Sequence, residues 1–425
     1  MRLMLAAYRR LSVVALLGLA TLMVDTSAVI AAGPERVPDM RTGLAQPPVQ
    51  LRTAARSPLT GLSGPVQQAK LTAGDGASGD LFGFAVAIFN STAIVGAFNK
   101  GPGGAGAAYA FVHSGTSWSQ QAELKASDSA AGDAFGTSVA ISGSTAVIGA
   151  YRKDSGAGAA YIFVRSGTMW TQQAKLTAFD RAAGDGFGGS VAISGSTAVV
   201  GATYHSHAGA AYVFARSATT WTQQAELTAS DGVPNDNFGL SVGISGSTAV
   251  VGARFKNSNT GAAYVYVRSG TRWTQQAELT ASDGAANDYF GISVAISGTT
   301  LVVGADGRTS FTGAAYVFTG SGAAWTQQAK LIASDGAAND DFAISVALSG
   351  SIAVIGSPGK TASAGAAYVF GRSGSAWSQL AKLTASDGAP NDQFGVSVGI
   401  SGTTGIVGAY ANNQSRGAAY VFAKL

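Results

Sequence analysis

Residues 290–331 read FGISVAISGTTLVVGADGRTSFTGAAYVFTGSGAAWTQQAKL, in which four short apolar runs are separated by glycine-rich breaks. The runs cover residues 290–296, 301–305, 313–318 and 325–331 and are rich in Val, Ile, Phe and Tyr. Runs of this length and composition, bounded by Ser-Gly and Asp-Gly turns, are typical of β-strands, and the stretch shows no sustained helical period. It therefore predicts a sheet of four antiparallel strands.

The same unit occurs seven times along the chain. An Asp-x-Phe triplet marks each copy at intervals of 51 to 53 residues, with its aspartate at Asp80, Asp133, Asp185, Asp236, Asp288, Asp340 and Asp392. Four antiparallel strands repeated in this way are typical of the blades of a propeller. The sequence therefore predicts an all-β fold, a seven-bladed β-propeller with four antiparallel strands per blade.

The two ends of the repeat region favour a closed ring over an open solenoid. Six units carry a Trp at the start of strand four, which we interpret as a packing residue, but the seventh unit stops at Leu425, just after its third strand. Residues 66–71, which read VQQAKL, match the missing strand. Pairing of the two ends removes an exposed sheet edge, whereas an open stack needs polar caps. We therefore expect an N-terminal strand to complete the last blade.

The segment before the repeats predicts export. Arginines flank an uncharged run over residues 11–24, and VIAA at residues 29–32 offers a small-residue cleavage site. This arrangement is typical of a secretory signal peptide, and the run is short for a bilayer span of about 20 residues. We therefore expect a signal peptide over 1–32 and a secreted or cell-surface protein with no stable membrane span after signal removal. Retention of the segment as an anchor is the alternative.

Composition separates a basic N-terminal segment from a neutral repeat region. Residues 33–65 are rich in Pro, Arg, Thr and Ser without periodicity, which predicts a flexible linker or propeptide before a propeller over 66–425. The net charge of +4 arises wholly from residues 1–64, which hold seven Arg and three acidic residues. Because a nucleic-acid-binding protein needs a concentrated basic surface, no nucleic-acid partner is expected. The absence of cysteine excludes disulfides and thiolate metal sites.

Each unit resembles the FG-GAP repeat, which is found in the propeller heads of integrin alpha subunits and in many secreted bacterial proteins. Phe-Gly at 290–291 and Val-Gly-Ala at 303–305 carry the resemblance, which extends over all seven units. The sixth unit departs from it, with Phe-Ala at 342–343. The resemblance implies a seven-bladed propeller with an extracellular role in adhesion or ligand binding.

Members of this family often bind calcium in the loop between strands one and two, but calcium binding is not expected there in this chain. That connection reads SGTT at 297–300 and contains no carboxylate. Acidic residues recur instead in the loop that connects one blade to the next, as at Asp283, Asn287 and Asp288. A calcium site is one interpretation of this loop, but its spacing does not match a calcium-binding loop. We favour a turn at Asp283 and backbone hydrogen bonds to Asp288, with no cofactor.

The loops between strands two and three, which we call the variable loops, differ among the units. Because strand directions alternate, they emerge on the same face as the loops that connect the blades. Their aromatic and basic residues suit a protein or polysaccharide partner, and drift in unconstrained loops is the alternative. The candidate binding residues are Tyr151, Arg152, Tyr204, His205, His207, Arg254, Phe255, Lys256, Arg308, Phe311, Lys360, Tyr410 and Arg416.

The near-identity of the units argues against catalysis, because a single active centre normally requires one blade to depart from the others. We therefore expect a monomeric, non-enzymatic binding or adhesion protein that recognises an extracellular protein or polysaccharide through the variable loops. A lectin with sites between blades and a propeller hydrolase or lyase are the alternatives. His205 and His207 form the one histidine cluster, but the sequence identifies no third metal ligand beside them.

Overall fold

The computed structural model describes residues 64–425, so the predicted signal peptide (1–32) and nearly all of the predicted linker (33–65) lie outside the described residues. The described chain forms seven antiparallel sheets of four strands each, and each sheet is one blade. This confirms the predicted seven-bladed β-propeller. None of the helices in the described range has the length and apolar character of a bilayer span.

The strands follow one another in blade order along the chain. They are β1 (Val66–Leu71); in blade one, β2 (Ala85–Phe89), β3 (Thr92–Ala97), β4 (Ala107–Ser114) and β5 (Ser117–Leu124); in blade two, β6 (Ser138–Ser142), β7 (Thr145–Ala150), β8 (Ala159–Ser166) and β9 (Met169–Leu176); in blade three, β10 (Phe187–Ser194), β11 (Thr197–Ala202), β12 (Ala210–Ser217) and β13 (Thr220–Leu227); in blade four, β14 (Phe238–Ser245), β15 (Thr248–Ala253), β16 (Ala262–Ser269) and β17 (Arg272–Leu279); in blade five, β18 (Val294–Ser297), β19 (Thr300–Ala305), β20 (Ala314–Ser321) and β21 (Ala324–Leu331); in blade six, β22 (Val346–Ser349), β23 (Ile352–Ser357), β24 (Ala366–Ser373) and β25 (Ala376–Leu383); and in blade seven, β26 (Val398–Ser401), β27 (Thr404–Ala409) and β28 (Ala418–Ala423).

Short helical turns occupy the variable loops. They are Pro102–Gly104 in blade one, α1 (Lys153–Gly156) in blade two, His205–His207 in blade three, α2 (Lys256–Asn259) in blade four, α3 (Arg308–Phe311) in blade five, α4 (Lys360–Ser363) in blade six and α5 (Asn412–Ser415) in blade seven.

The ring is closed by the strand from the N-terminal side, as predicted. Strand β1 pairs antiparallel with β28, with Lys70 opposite Tyr420 and Leu71 opposite Ala419. The sheet of blade seven therefore has the order β1-β28-β27-β26. The Leu71 side chain is 3% exposed, which shows that the added strand contributes to the core as well as to the hydrogen-bond ladder.

The hydrophobic core lies between neighbouring blades. One cluster combines Ile94 and Leu124 of blade one with Phe135, Ile148 and Tyr161 of blade two, all buried. Equivalent clusters join the other neighbours, including blades seven and one. The Phe of every Asp-x-Phe triplet is almost wholly buried in such a cluster. Each blade therefore depends on the next for most of its apolar burial.

A close backbone contact explains the paired glycines of the repeat. A side chain on Gly252 at the end of β15 would overlap the carbonyl oxygen of Gly291 in the next blade. The same oxygen accepts a hydrogen bond from Ser241 Oγ at 2.8 Å. Gly291 has a φ of +91°, a conformation that favours glycine. Glycine at both positions therefore lets adjacent blades approach within backbone contact distance.

The first strand is shorter in blade five than the sequence predicts. It begins at Val294 instead of Phe290, and Phe290 makes a parallel bridge to Gly261 of blade four. Phe290 N donates to Thr260 O of blade four, whereas Gly291 N donates to Gly304 O of blade five, both at 2.9 Å. The Phe-Gly motif therefore joins the preceding blade to its own.

The tryptophans act as packing residues, as predicted. Trp221 and Trp273 are 9% and 8% exposed. The indole N–H of Trp170 donates to Gln121 Oε1 of blade one at 2.9 Å, and the Arg165 guanidinium lies 5.8 Å from the Trp170 ring. The hydrogen bond to Gln121 connects the outer strands of neighbouring blades, and the contact with Arg165 lies within blade two.

Removal of β1 tests the importance of ring closure. We expect a chain that begins at residue 72 to lose at least about 3 kcal/mol of unfolding free energy, because it exposes the edge of β28 and loses the burial of Leu71. Chemical denaturation with fluorescence detection measures this loss. A chain that begins at residue 64 is the matched control and should unfold like the full-length protein. Equal stability of the two truncated chains would contradict a closed ring.

Substitution of single glycines tests the backbone contact between blades. Gly252→Ala should destabilise the protein by about 2 kcal/mol or more, because the methyl group must displace the Gly291 carbonyl. Gly243→Ala is the control, since its methyl group would meet only ordinary contacts and other blades carry Ala at this position. Denaturation midpoints that change equally for both variants would refute the proposed role of the contact.

Candidate binding face

The variable loops and the blade-connecting loops lie side by side at one end of the ring, which we call the loop face. In blade four, Lys256 Nζ donates to the carbonyl oxygen of Asp231 in the connecting loop before the blade. At its other end, the same variable loop contacts the following connecting loop, since Tyr289 N donates to Asn259 O at 2.9 Å. Each variable loop is therefore held between two connecting loops.

One side chain of every variable loop binds the aspartate of its own Asp-x-Phe triplet. These aspartates are 3–6% exposed. The pairs are Lys100 with Asp80, Lys153 with Asp133, His205 with Asp185, Lys256 with Asp236, Arg308 with Asp288, Lys360 with Asp340 and Asn412 with Asp392. In five of the seven blades the partner is a lysine or arginine that is oriented towards the sheet and forms an ion pair there.

The connecting loops form the turn that the sequence predicts. In the loop before blade five, Gly284 N donates to Ala281 O at 3.1 Å. Asp288 Oδ2 accepts the backbone N–H of Ala285 at 2.8 Å. Both hydrogen bonds match the structural interpretation of this loop, in which the Asp-Gly pair makes a turn and the second aspartate accepts from the backbone.

The oxygens considered for calcium are bound to side chains of the protein. Asp288 pairs with Arg308, and Asp283 pairs with both Arg308 at 2.9 Å and Lys330 at 2.7 Å. The hydrogen bond from Lys330 contributes most to lowering the pKa of Asp283. Asn287 Oδ1 accepts a hydrogen bond from the neighbouring variable loop at 2.9 Å. The arrangement supports a structural role for this loop.

A buried tyrosine of strand three fixes the other aspartate of each connecting loop. Its hydroxyl donates to that carboxylate at 2.7–3.0 Å in all seven blades. The pairs are Tyr109 with Asp75, Tyr161 with Asp128, Tyr212 with Asp180, Tyr264 with Asp231, Tyr316 with Asp283, Tyr368 with Asp335 and Tyr420 with Asp387.

Four of the candidate binding residues point into the protein, and we correct the expectation that they face a partner. Lys256, Lys360 and His205 are 4%, 8% and 8% exposed. The side chain of Arg308 is 18% exposed and pairs with two aspartates. The physical reason is that the carboxylates of the connecting loops need a counter-charge or a donor when they are buried.

The other candidates reach the surface to different degrees. Tyr204 is 59% exposed, and His207 and Arg416 are also exposed. The half-buried candidates are Tyr151, Arg152, Arg254, Phe255, Phe311 and Tyr410. The structure pairs His205 with carboxylates and leaves the His207 side chain exposed, so the two neighbouring histidines lie in different environments.

Aromatic and basic residues form a band across blades four and five. The Arg254 guanidinium lies 4.3 Å from the Phe255 ring centroid. Phe255 contacts Tyr289 at 5.8 Å between ring centroids, and Tyr289 contacts Phe311 at 6.1 Å. Tyr289 is not among the residues predicted from the sequence, because it lies in a connecting loop, as the middle residue of an Asp-x-Phe triplet. The middle residue of the triplet differs in every unit, and this variation could have identified it as a candidate surface position.

A second aromatic group joins blades seven and one. Phe84 contacts Phe98 at 4.6 Å and Tyr410 at 5.7 Å between ring centroids. All three rings are half-buried. Partly exposed aromatic side chains of this kind provide apolar contact area with little loss of side-chain entropy on binding.

Asp306 differs from the residues at its position in the other units. The side chain lies in the variable loop of blade five, and it is 7% exposed. Burial and the nearby charge of Asp341 together raise the pKa of Asp306 to about 7, while the Arg254 charge opposes the rise.

Two shallow clefts lie at the same position in different blades. The cleft in blade five has a volume of about 350 Å³ and is lined by residues that include Thr309, Lys330 and Ile332. The cleft in blade seven has a volume of about 150 Å³, and its lining includes Lys70 and Asn413. Each lies between a variable loop and the connecting loop that leads to the next blade.

The inward lysines can be tested by removing one charge. Lys360→Met should destabilise the protein by about 3 kcal/mol, because the buried carboxylate of Asp340 loses its counter-ion. Lys382→Met is the matched control. It removes a more exposed partner of Asp335 and should cost less than about 1 kcal/mol. Urea denaturation at pH 7 compares the two, and equal losses would contradict the structural role of Lys360.

The small effect of Lys382→Met should also depend on pH. Although burial opposes the change, hydrogen bonds from Lys382 and Tyr368 lower the pKa of Asp335 to about 2. A carboxyl whose folded pKa is depressed stabilises the protein above its unfolded pKa of about 4, and the contribution is lost as pH falls towards 2. The difference between wild type and Lys382→Met should therefore disappear over this range.

Comparisons with known proteins agree with this geometry. The family model described as FG-GAP repeat matches residues 65–111, 118–163, 170–214, 221–266, 273–318, 325–370 and 377–422. No curated protein sequence matches the chain. Solved structures with a similar fold are numerous, with 572 matching chains, so the fold alone does not specify a function.

One such structure is a chain in "Crystal Structure of Mitotic Checkpoint Complex". It aligns with a TM-score of 0.53 at 12% identity and covers 85% of this chain and 94% of that chain. At this identity the likeness concerns the fold alone. The seven matched repeats, the Phe-Gly contacts between blades and the closed ring together show that the chain belongs to the FG-GAP repeat family.

Proposed function

We propose that this protein is a non-enzymatic binding or adhesion protein that works outside the cytoplasm and attaches to another macromolecule through its loop face. The observation that carries the proposal is the aromatic and basic band of Arg254, Phe255, Tyr289 and Phe311. Residues of these types are enriched at the centres of protein interfaces. Membership of a family with many extracellular binding proteins supports the same role.

The division between constant and variable residues also supports a binding role. The side chains that hold the loops in place recur from blade to blade. At the position that Tyr151, Arg254 and Tyr410 occupy, by contrast, the seven units carry six different residue types. A rigid frame that presents a varied surface is the usual arrangement in loop-based recognition. The proposed partner is an extracellular protein or a polysaccharide, bound by a monomer.

The clefts of blades five and seven favour a second candidate within the same class. Repeated shallow depressions between blades suit a carbohydrate-binding protein that holds several sugar units at once. Weak sites repeated on one rigid body give avidity for a polymer without any strong single contact. A lectin is therefore the alternative to a protein-binding role.

A binding screen against glycans and matrix proteins, with and without calcium, tests the proposal. Once a ligand is found, the double variant Phe255→Ser/Phe311→Ser should weaken binding at least about tenfold, because central aromatic contacts contribute most of an interface's affinity. Surface plasmon resonance measures the change. Met169→Ser is the control, since Met169 is 68% exposed as the first residue of β9, at the other end of the blade.

The outcomes separate the two candidates. Loss of binding in the double variant, with the control unaffected, supports recognition through the aromatic band. Competition by free oligosaccharides, together with loss of binding in Thr309→Trp within the blade-five cleft, would support the lectin instead. A ligand whose affinity is unchanged by both loop-face variants would remove the assignment of this face.

A further inference from the structure

Blade three differs from the other blades at the position that binds the Asp-x-Phe aspartate. Five blades place Lys or Arg there, and blade seven places Asn412 beside Lys70, whose Nζ lies 3.0 Å from Asn412 Oδ1. Blade three places His205 there. A histidine differs from lysine and arginine because its neutral ring can donate through one nitrogen and bind a metal through the other.

Three carboxylates surround the His205 ring. Nδ1 lies 3.0 Å from Asp185 Oδ2. Nε2 lies 3.5 Å from Asp180 Oδ2 and 3.9 Å from Glu226 Oε1. One ligand atom each from Asp180, His205 and Glu226 lies within 4.8 Å of the other two. The His205 side chain is 11% exposed, while the Asp180 and Glu226 side chains are 27% and 30% exposed.

The charge balance of this cluster is unusual in the ring. In the other six blades, the equivalent carboxylates have at least one Lys or Arg between them. In blade three, the adjacent Arg181 is directed to Asp154 at 3.2 Å. The three carboxylates around the His205 imidazole therefore have less positive charge beside them than the equivalent carboxylates of the other blades.

We propose that Asp180, His205 and Glu226 form a binding site for one divalent transition-metal ion of the zinc class. His205 binds through Nε2. Asp185 accepts the Nδ1–H and so fixes the tautomer and the ring orientation, an arrangement that usually accompanies metal-bound histidine. Imidazole nitrogen and carboxylate oxygen are ordinary zinc ligands at about 2.0–2.2 Å.

The ligand set also selects among metals. Calcium takes six to eight oxygens and has no preference for imidazole, so it should bind poorly here. Zinc with three protein ligands leaves a fourth position, which can hold water or a donor atom from a partner. The metal would supply the charge that Lys256 supplies at the equivalent position of blade four.

Calorimetric titration of the metal-free protein with zinc chloride tests the site. We expect one zinc ion per chain with a dissociation constant in the micromolar range or below, and no heat from calcium chloride. His205→Lys should abolish zinc binding while the protein stays folded, because it installs the residue that other blades carry. Glu226→Gln should weaken binding at least tenfold, and His207→Ala should bind like wild type.

A transfer experiment tests whether this residue set is sufficient. Blade four has Asp231, Asp236 and Glu278 at the positions of Asp180, Asp185 and Glu226. Lys256→His should therefore create a second site and raise the stoichiometry to two zinc ions per chain. The proposal is overturned if wild type binds no zinc, if His205→Lys binds it as tightly as wild type, or if Lys256→His still binds only one ion.

Discussion

The contact between the strand-two glycine of one blade and the Phe-Gly backbone of the next is the constraint on which the ring depends. The Gly291 carbonyl lies against Gly252, and the Gly83 carbonyl lies against Gly408 in the same way where the ring closes. Because the backbones approach so closely, the buried Phe and Tyr side chains of adjacent blades pack into one cluster. The repeated glycines are therefore explained by the contact between blades and not by the structure of a single blade. Blade six shows its tolerance, since Ala343 keeps a φ of +73° to place its carbonyl against Gly304.

On the loop face, the structure separates residues that hold the frame from residues that meet solvent. Aspartates of the connecting loops bind basic side chains of the variable loops and hydroxyl groups of buried tyrosines. An ion pair on the surface contributes little to the free energy of unfolding. These pairs include carboxylates that are less than a tenth exposed, so removal of one partner leaves a buried charge unpaired and destabilises the protein. The remaining positions are free to differ. A binding function located there can change without disturbing the ring. The metal site proposed in blade three arises from one substitution within the frame, His205 in place of the Lys or Arg of other blades.

Much of the fold could be predicted from the sequence, because a repeat of nearly constant length indicates how many equivalent units the fold contains. The spacing of the Asp-x-Phe triplets gave the number of blades, and the VQQAKL segment at 66–71 identified the closing strand. Composition could not predict that the Lys256 and Lys360 side chains point into the protein, because a lysine in a loop is ordinarily solvated. One signal was available: the residue that binds each Asp-x-Phe aspartate lies 20 positions after it in every unit. Asp180 and Glu226 come from a connecting loop and an outer strand, so only the fold places them beside His205.

The closing strand has a consequence for how the protein is made. Residues 66–71 pair with residues 419–423, so the first strand of the described region finds its partner only when the last strand of that region has been synthesised. Contacts this distant in sequence slow the final folding step and leave an unpaired sheet edge until that moment. Until β28 is available, β1 has no partner in its own chain and can pair with the open sheet edge of another chain. The seam is therefore the place where misassembly between chains is to be expected during folding.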